Sequence, residues 1–192
     1  MGFDYFEGKQ WNEVTRDERY FCSHLYHEIN QDVSSFIQWL SSNKIYQFSD
    51  TELNSTWEIG YEVCFYRDYI NYFKKDSKSA LLKSATEQTN IYSPKRTFDL
   101  CLFGPNHIII IEAKAQGRFH SEQNEEFVED KNLVKKLLGS QNLKVGMIAL
   151  ASSQYFENMN TYKKPLPEVI SNNYMHWKHL YKLFGNSVLL DA

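Results

Sequence analysis

The chain has 192 residues, 42% of them hydrophobic and 16% aromatic, with a formal net charge of −3. Length and composition predict a single folded domain over residues 1–192 with a sizeable core, and exclude a disordered chain. The slightly acidic balance excludes a global attraction to nucleic acid, so any such contact must come from a local basic patch.

The three cysteines, Cys22, Cys64 and Cys101, stand far apart in apolar segments with no C-x-x-C pair. That pattern predicts buried free thiols and a reducing, cytoplasmic setting. The N-terminal MGFDYFEGKQW has neither the basic start nor the apolar run of a signal peptide. No apolar run approaches membrane-spanning length.

Residues 1–14 read as an irregular lead-in. Thr15 followed by Glu18 fits a capping box, and the helix behind it runs to about Asn30. Its stripe is Glu18, Phe21, Cys22, Leu25 and Ile29, which places Glu18 on the core-facing side of the first turn. His24 and His27 lie three apart, but no further zinc ligands stand at matching spacing. Asp32 to Asn43 reads as a second helix on Val33, Phe36, Ile37 and Leu40. Gln47 to Asn54 reads as a polar connection. Trp57 to Tyr66 alternates like a strand, with Ile59, Tyr61, Val63 and Phe65 on one face and Glu62 on the other. Lys74, Lys75, Lys78 and Lys83, joined by Lys95 and Arg96, form the best basic patch in the chain.

Phe98 to Gln116 reads FDLCLFGPNHIIIIEAKAQ. Gly104-Pro105-Asn106-His107 is turn chemistry between an apolar segment and four isoleucines, a β-hairpin signature. A symmetric turn over Pro105-Asn106 pairs Gly104 with His107, and the same register carries Asp99 to a position across from Glu112. Directly opposed side chains have Cβ atoms roughly 4.5–5.5 Å apart, where like charges repel. Two carboxylates facing each other in an isoleucine-rich sheet need a cation between them, or a proton on one of them. A hard divalent ion with oxygen ligands answers that need, and magnesium uses one or two carboxylates and keeps several waters. Lys114 lies one pleat beyond Glu112, where it can orient a water or offset charge on a phosphate.

An aspartate, a spacer and Glu-x-Lys at the end of an apolar strand resemble the P-D…(D/E)-x-K nuclease superfamily, through Asp99, Glu112 and Lys114. Phe98 stands where that family often has proline. The resemblance covers the hairpin and the elements around it, about half the chain. It implies an α/β fold with a restriction-endonuclease-like core, a central mixed β-sheet flanked by helices in the order α-β-β-β-α-β. It also implies a metal-dependent nuclease, acting on DNA ahead of RNA. Asp99, Glu112 and the carbonyl of Ala113 would hold Mg²⁺, with Mn²⁺ as a substitute, and Lys114 would serve the attacking water. Glu18 matches the acidic residue that many members carry on a first helix. Gln116 matches a glutamine that some carry after the lysine. Lys74, Lys75, Lys95 and Arg96 would face the nucleic-acid backbone. The expected partner is nucleic acid and not a membrane, with a homodimer or larger complex left open. The alternative is a catalytically silent nuclease-fold subunit that binds nucleic acid or protein.

Ser121 to Gly139 reads as a helix, acidic at its start and basic at its end, and Val145 to Ala151 as a buried parallel strand. Residues 152–173 read as a loop or lid. His176 to Phe184 reads as a final helix, and Val188 to Leu190 as a last edge strand. No phosphate-binding P-loop is present.

Overall fold

A computed structural model of the chain describes residues 14, 15, 17–75, 96–115, 119, 123–138, 142–162 and 167–190. They form an α/β structure around one five-stranded mixed sheet flanked by helices. Helices α1 (Glu18–Gln31), α2 (Val33–Ser42) and the short α3 (Asp50–Leu53) precede strand β1 (Glu58–Val63). Helix α4 (Phe65–Lys75) follows, then β2 (Phe98–Gly104) and β3 (His107–Ala113). Helix α5 (Gln123–Leu137) leads to β4 (Lys144–Ala151), and α6 (Ser153–Tyr162) to β5 (Tyr174–His176) and α7 (Trp177–Phe184). Among the described residues, no helix is long and apolar enough to cross a membrane.

The strands lie in the order β1-β2-β3-β4-β5, antiparallel as far as β3 and parallel from there on. The hairpin has the register expected from its turn, with Gly104 opposite His107 and Leu100 opposite Ile111. All four isoleucines of β3 are buried, because both faces of the sheet are covered. Ile109 and Ile111 join Leu100, Leu102 and Ile148 beneath α1, α2 and α7. Ile108 and Ile110 join Cys101 and Met147 beneath α5. Each buried isoleucine contributes about 1.5–3 kcal/mol, and this central position fixes where β3 ends. All three cysteines are buried and free.

Helix α1 buries Phe21, Cys22, Leu25 and Ile29, as its periodicity predicts. Its start differs from the expected capping box. The N-cap is Asp17, whose side chain accepts from the N–H of Arg19 at 3.0 Å, while Thr15 Oγ1 accepts from the N–H of Asp17 at 3.2 Å. Glu18 is thereby the first helical residue, and its carboxylate is available for contacts elsewhere.

Strand β1 also departs from simple alternation. Ile59 and Tyr61 pack against the α1 side of the sheet, whereas Val63 and Phe65 belong to the α5 side. The switch falls at Glu62, whose φ of 51° is left-handed. A side-chain-bearing residue held there costs roughly 1–2 kcal/mol, and the twist turns Val63 and its partner Phe98 away from α1.

The structure differs from two more expectations. Within 152–173, the expected loop or lid, the chain forms α6 and a 3₁₀ turn at Glu168–Ile170. Ser152 Oγ accepts from the N–H of Tyr155 at 3.2 Å and Phe156 is buried, so this stretch has its own cap and its own core contact. The last edge strand is not Val188–Leu190. That segment is a 3₁₀ turn started by Asn186, whose Oδ1 accepts from the N–H of Val188 at 3.1 Å, and Leu189 is buried in the core. The edge of the sheet is instead β5, too short to show a periodic pattern, joined to β4 partly by the N–H of Ala149 donating to Asn173 at 2.9 Å.

Candidate active site

The site lies where β2 begins and β3 ends. The paired register stops at Leu100 and Ile111, and beyond it the carboxylate of Asp99 takes over the role of a backbone acceptor. The N–H of Ala113 donates to Asp99 Oδ2 at 2.8 Å. Glu112, on the adjacent residue, is only 6% exposed. Its Oε1 lies 3.7 Å from Arg96 Nη1, and its Oε2 is buried with no hydrogen-bond partner. A carboxylate oxygen removed from water and left unmatched costs free energy unless a proton or a cation supplies a partner.

The titration behaviour follows from that placement. Burial raises the pKa of Glu112 to about 7, with Asp99 adding to the rise and Arg96 opposing it. Burial likewise raises Asp99 to about 6; the hydrogen bond from Ala113 works against this, and the charge of Glu18 adds to it. The pair is therefore electrostatically short of positive charge.

Lys114 is the first residue past β3, so strand alternation no longer constrains its side chain. Its backbone is pinned on both sides: its N–H donates to the carbonyl of Leu150 at 2.7 Å, and its carbonyl accepts from Trp177 Nε1 at 3.1 Å. Its Nζ reaches Glu18 Oε1 at 3.2 Å and stands 5.7 Å from the centroid of the Phe119 ring. Glu18 Oε2 accepts from the N–H of Ala115 at 3.2 Å, so one carboxylate on α1 grips both the ammonium and the following peptide. The role of Glu18 here is to hold Lys114, which the sequence pattern did not specify.

Comparison of the chain with protein-family models, with curated proteins and with solved structures finds no match. The chemistry therefore rests on the residues themselves.

Four of the expected residues, Asp99, Glu112, Lys114 and Glu18, meet at this end of the sheet, with Ala113 between Glu112 and Lys114. Glu62 faces them from β1 but pairs with Arg19 at 3.3 Å. Glu28 accepts from Asn186 at 2.8 Å, away from the cluster. Gln116 and Lys95 lie outside the described residues, as do Lys78 and Lys83, and so do the side chains of Lys74 and Lys75 at the end of α4. Arg96 turns inward. Its Nε and Nη2 both donate to Asp130 Oδ2, at 3.0 and 2.8 Å, and its guanidinium stacks over Phe98 at 4.7 Å. The guanidinium is thus engaged by Asp130 and Glu112, with the side chain 34% exposed.

Asp130 and Trp177 are the contributors that the sequence did not reveal. Asp130 reads as one more acid on an acidic helix, and Trp177 as one more residue of an apolar face; only their long-range partners distinguish them. Among the described residues, no three His, Cys, Asp or Glu side chains are grouped to hold a metal ion. The donors of the expected set, the carboxylates of Asp99 and Glu112 and the carbonyl of Ala113, are all oxygen groups. They fit a hard, oxygen-seeking ion that keeps water, and not a closed zinc site.

Proposed function

We propose that this protein is a metal-dependent phosphodiesterase acting on nucleic acid, DNA ahead of RNA. The observation that carries the reading is the buried Oε2 of Glu112, which has no hydrogen-bond partner, on a carboxylate whose pKa is raised by burial and by the nearby charge of Asp99. With α2, α3 and α4 set aside, the order α1-β1-β2-β3-α5-β4, three antiparallel strands followed by a helix and a parallel strand, supports a restriction-endonuclease-like core.

Asp99, Glu112 and the Ala113 carbonyl would hold Mg²⁺, or Mn²⁺ in its place. Such an ion supplies a bound water of lowered pKa and polarises the phosphate. The residues of the chain do the rest. Lys114, held at a fixed height by Leu150 and Trp177 and aimed by Glu18, orients the nucleophilic water and offsets charge that develops on the phosphate. Arg96 neutralises Oε1 of Glu112 and leaves Oε2 for the ion.

A calorimetric titration with Mn²⁺, on wild type and Asp99→Ala, tests the reading, followed by cleavage assays on DNA and RNA. Uptake by wild type that is lost in the variant, together with metal-dependent cleavage, is the expected result. Absence of uptake, with and without a short duplex, would overturn it. Uptake without cleavage of any nucleic acid would favour the catalytically silent subunit.

A further inference from the structure

One face of α5 carries its charged and its apolar residues at opposite ends. Glu126, Glu129 and Asp130 lie towards its start, Leu133 and Leu137 towards its end, and all five line a cavity of ≈ 250 Å³. Phe65 at the start of α4 and Phe98 of β2 form the facing wall. At 1.5 Å per residue, Glu129 and Leu137 are roughly 12 Å apart along the helix. The cavity is thus a short trough with an acidic end and an apolar end.

Among the described residues its charge is not balanced from within. Arg96, the one cation among the described residues of the lining, is already engaged by Asp130 and Glu112. Glu126 and Glu129 are exposed, and neither takes part in an ion pair among the described residues. An apolar pocket with a few convergent polar groups at one end is the form of a small-molecule site. Here the polar groups are carboxylates, so the complementary head group is a cation. A phosphate or other anion is repelled, which sets this cavity apart from any path of a nucleic-acid backbone.

We propose that the cavity binds a small amphipathic organic cation of the primary alkylamine class. Its ammonium sits between Glu126 and Glu129, and its hydrocarbon chain lies along Leu133 and Leu137 against Phe65. The inner wall is the Arg96–Asp130 pair, so the ligand lies next to the candidate active site, but its binding does not depend on nuclease activity.

The test is calorimetry on the full chain with n-hexylamine, n-hexanol and hexanoate, which share a body and differ in head group. The amine is expected to bind about tenfold more tightly than the alcohol, and hexanoate more weakly than either. Added salt should weaken the amine and leave the alcohol unchanged. In Glu126→Gln/Glu129→Gln, the amine should fall to the affinity of the alcohol, with the alcohol itself unaffected. Both substitutions are on an exposed helical surface, and circular dichroism verifies the fold. Equal affinity for amine and alcohol in wild type would overturn the proposal. So would an amine affinity unchanged in the double variant, or no uptake of either ligand at millimolar concentration.

Discussion

Glu18 on α1 and Lys114 at the end of β3 are 96 positions apart in sequence, and their side chains meet at 3.2 Å. The contact joins the first helix to the sheet at the point where the proposed chemistry takes place. Replacing Lys114 with Ala should leave the fold intact, because its backbone partners do not depend on the side chain. Cleavage should fall by about 10²- to 10⁴-fold, the range for loss of a positioned proton-transfer or charge-stabilising group. Glu18→Gln keeps an acceptor but loses the charge that holds the ammonium. Its kcat should drop about tenfold while KM stays near the wild-type value. Steady-state kinetics on a labelled duplex measures both, and a Lys114→Ala variant cutting at the wild-type rate would remove Lys114 from the mechanism.

The buried carboxylates predict an unusual dependence of stability on pH. The folded pKa of Glu112 lies above its unfolded value, and that of Asp99 does too. Between the two values the folded chain therefore carries more protons than the unfolded one. The contribution of these two groups is fully present below the ordinary carboxylate range and is lost as pH rises through about 6 and 7. Each such proton contributes a slope of at most about 1.4 kcal/mol per pH unit. His107, His176 and His179 are lowered by burial and pull in the opposite direction over part of this window. The informative quantity is thus the difference between wild type and Glu112→Gln in thermal unfolding between about pH 5 and 8. The variant should gain on wild type as pH rises. Mg²⁺ competes with the protons, so its stabilisation of wild type should also grow with pH. A gap between the two proteins that stays constant across the window would show that Glu112 does not titrate there.

The hairpin was legible because its signals are local. A Gly-Pro-Asn-His turn fixes register, and that register brings the start of β2 beside the end of β3. The stripe of α1 was legible for the same reason, and it put Glu18 on the correct side. The task of Glu18 was hidden, because a carboxylate in a first turn looks the same whether it caps its own helix or reaches across to Lys114. The partners of Arg96 were hidden for a related cause: its neighbour Lys95 suggests a basic patch, while Asp130 and Glu112 come from distant elements. Val63 was assigned to the wrong face because alternation presumes extended backbone, and Glu62 leaves it with a φ of 51°. Strand β5 has only three residues, fewer than any period needs to declare itself.

At the other end of the sheet a second polar cluster predicts a purely structural effect. His107 is 3% exposed; its Nδ1 is 2.8 Å from Glu52 Oε1 and its Nε2 2.9 Å from the hydroxyl of Tyr46. Gly146 on β4 lies under the Tyr46 ring, and a Cβ there would overlap both ring and hydroxyl. Gly146→Ala should displace Tyr46 and leave His107 with one ring nitrogen unmatched. The expected loss is about 1–3 kcal/mol, read as a lower midpoint in urea. Metal uptake by the folded fraction should be unchanged, since Gly146 pairs with Ile109, towards the turn end of β3. Selective loss of metal binding at unaltered stability would show instead that the two ends of the sheet are coupled.

Asp130 is where fold and site can be told apart. Its Oδ2 accepts two bonds from Arg96, and Arg96 in turn stands 3.7 Å from the oxygen of Glu112 that does not face the proposed ion. Asp130→Asn keeps the size of the side chain and one acceptor oxygen but removes the charge that fixes the guanidinium. Arg96 should then swing fully onto Glu112 and compete with the ion for its carboxylate. Groups that orient a ligand from behind typically matter 10- to 100-fold for metal affinity, so a loss of about tenfold in Mn²⁺ binding is expected. Arg96→Met tests the same relay from the other side. It removes the competitor together with the neutralising charge, which should leave Glu112 harder to ionise and shift the pH for half-maximal Mn²⁺ uptake upward. If Asp130→Asn bound Mn²⁺ as wild type does and unfolded at a lower temperature, the Arg96–Asp130 pair would be a brace for α5 with no part in setting the carboxylate.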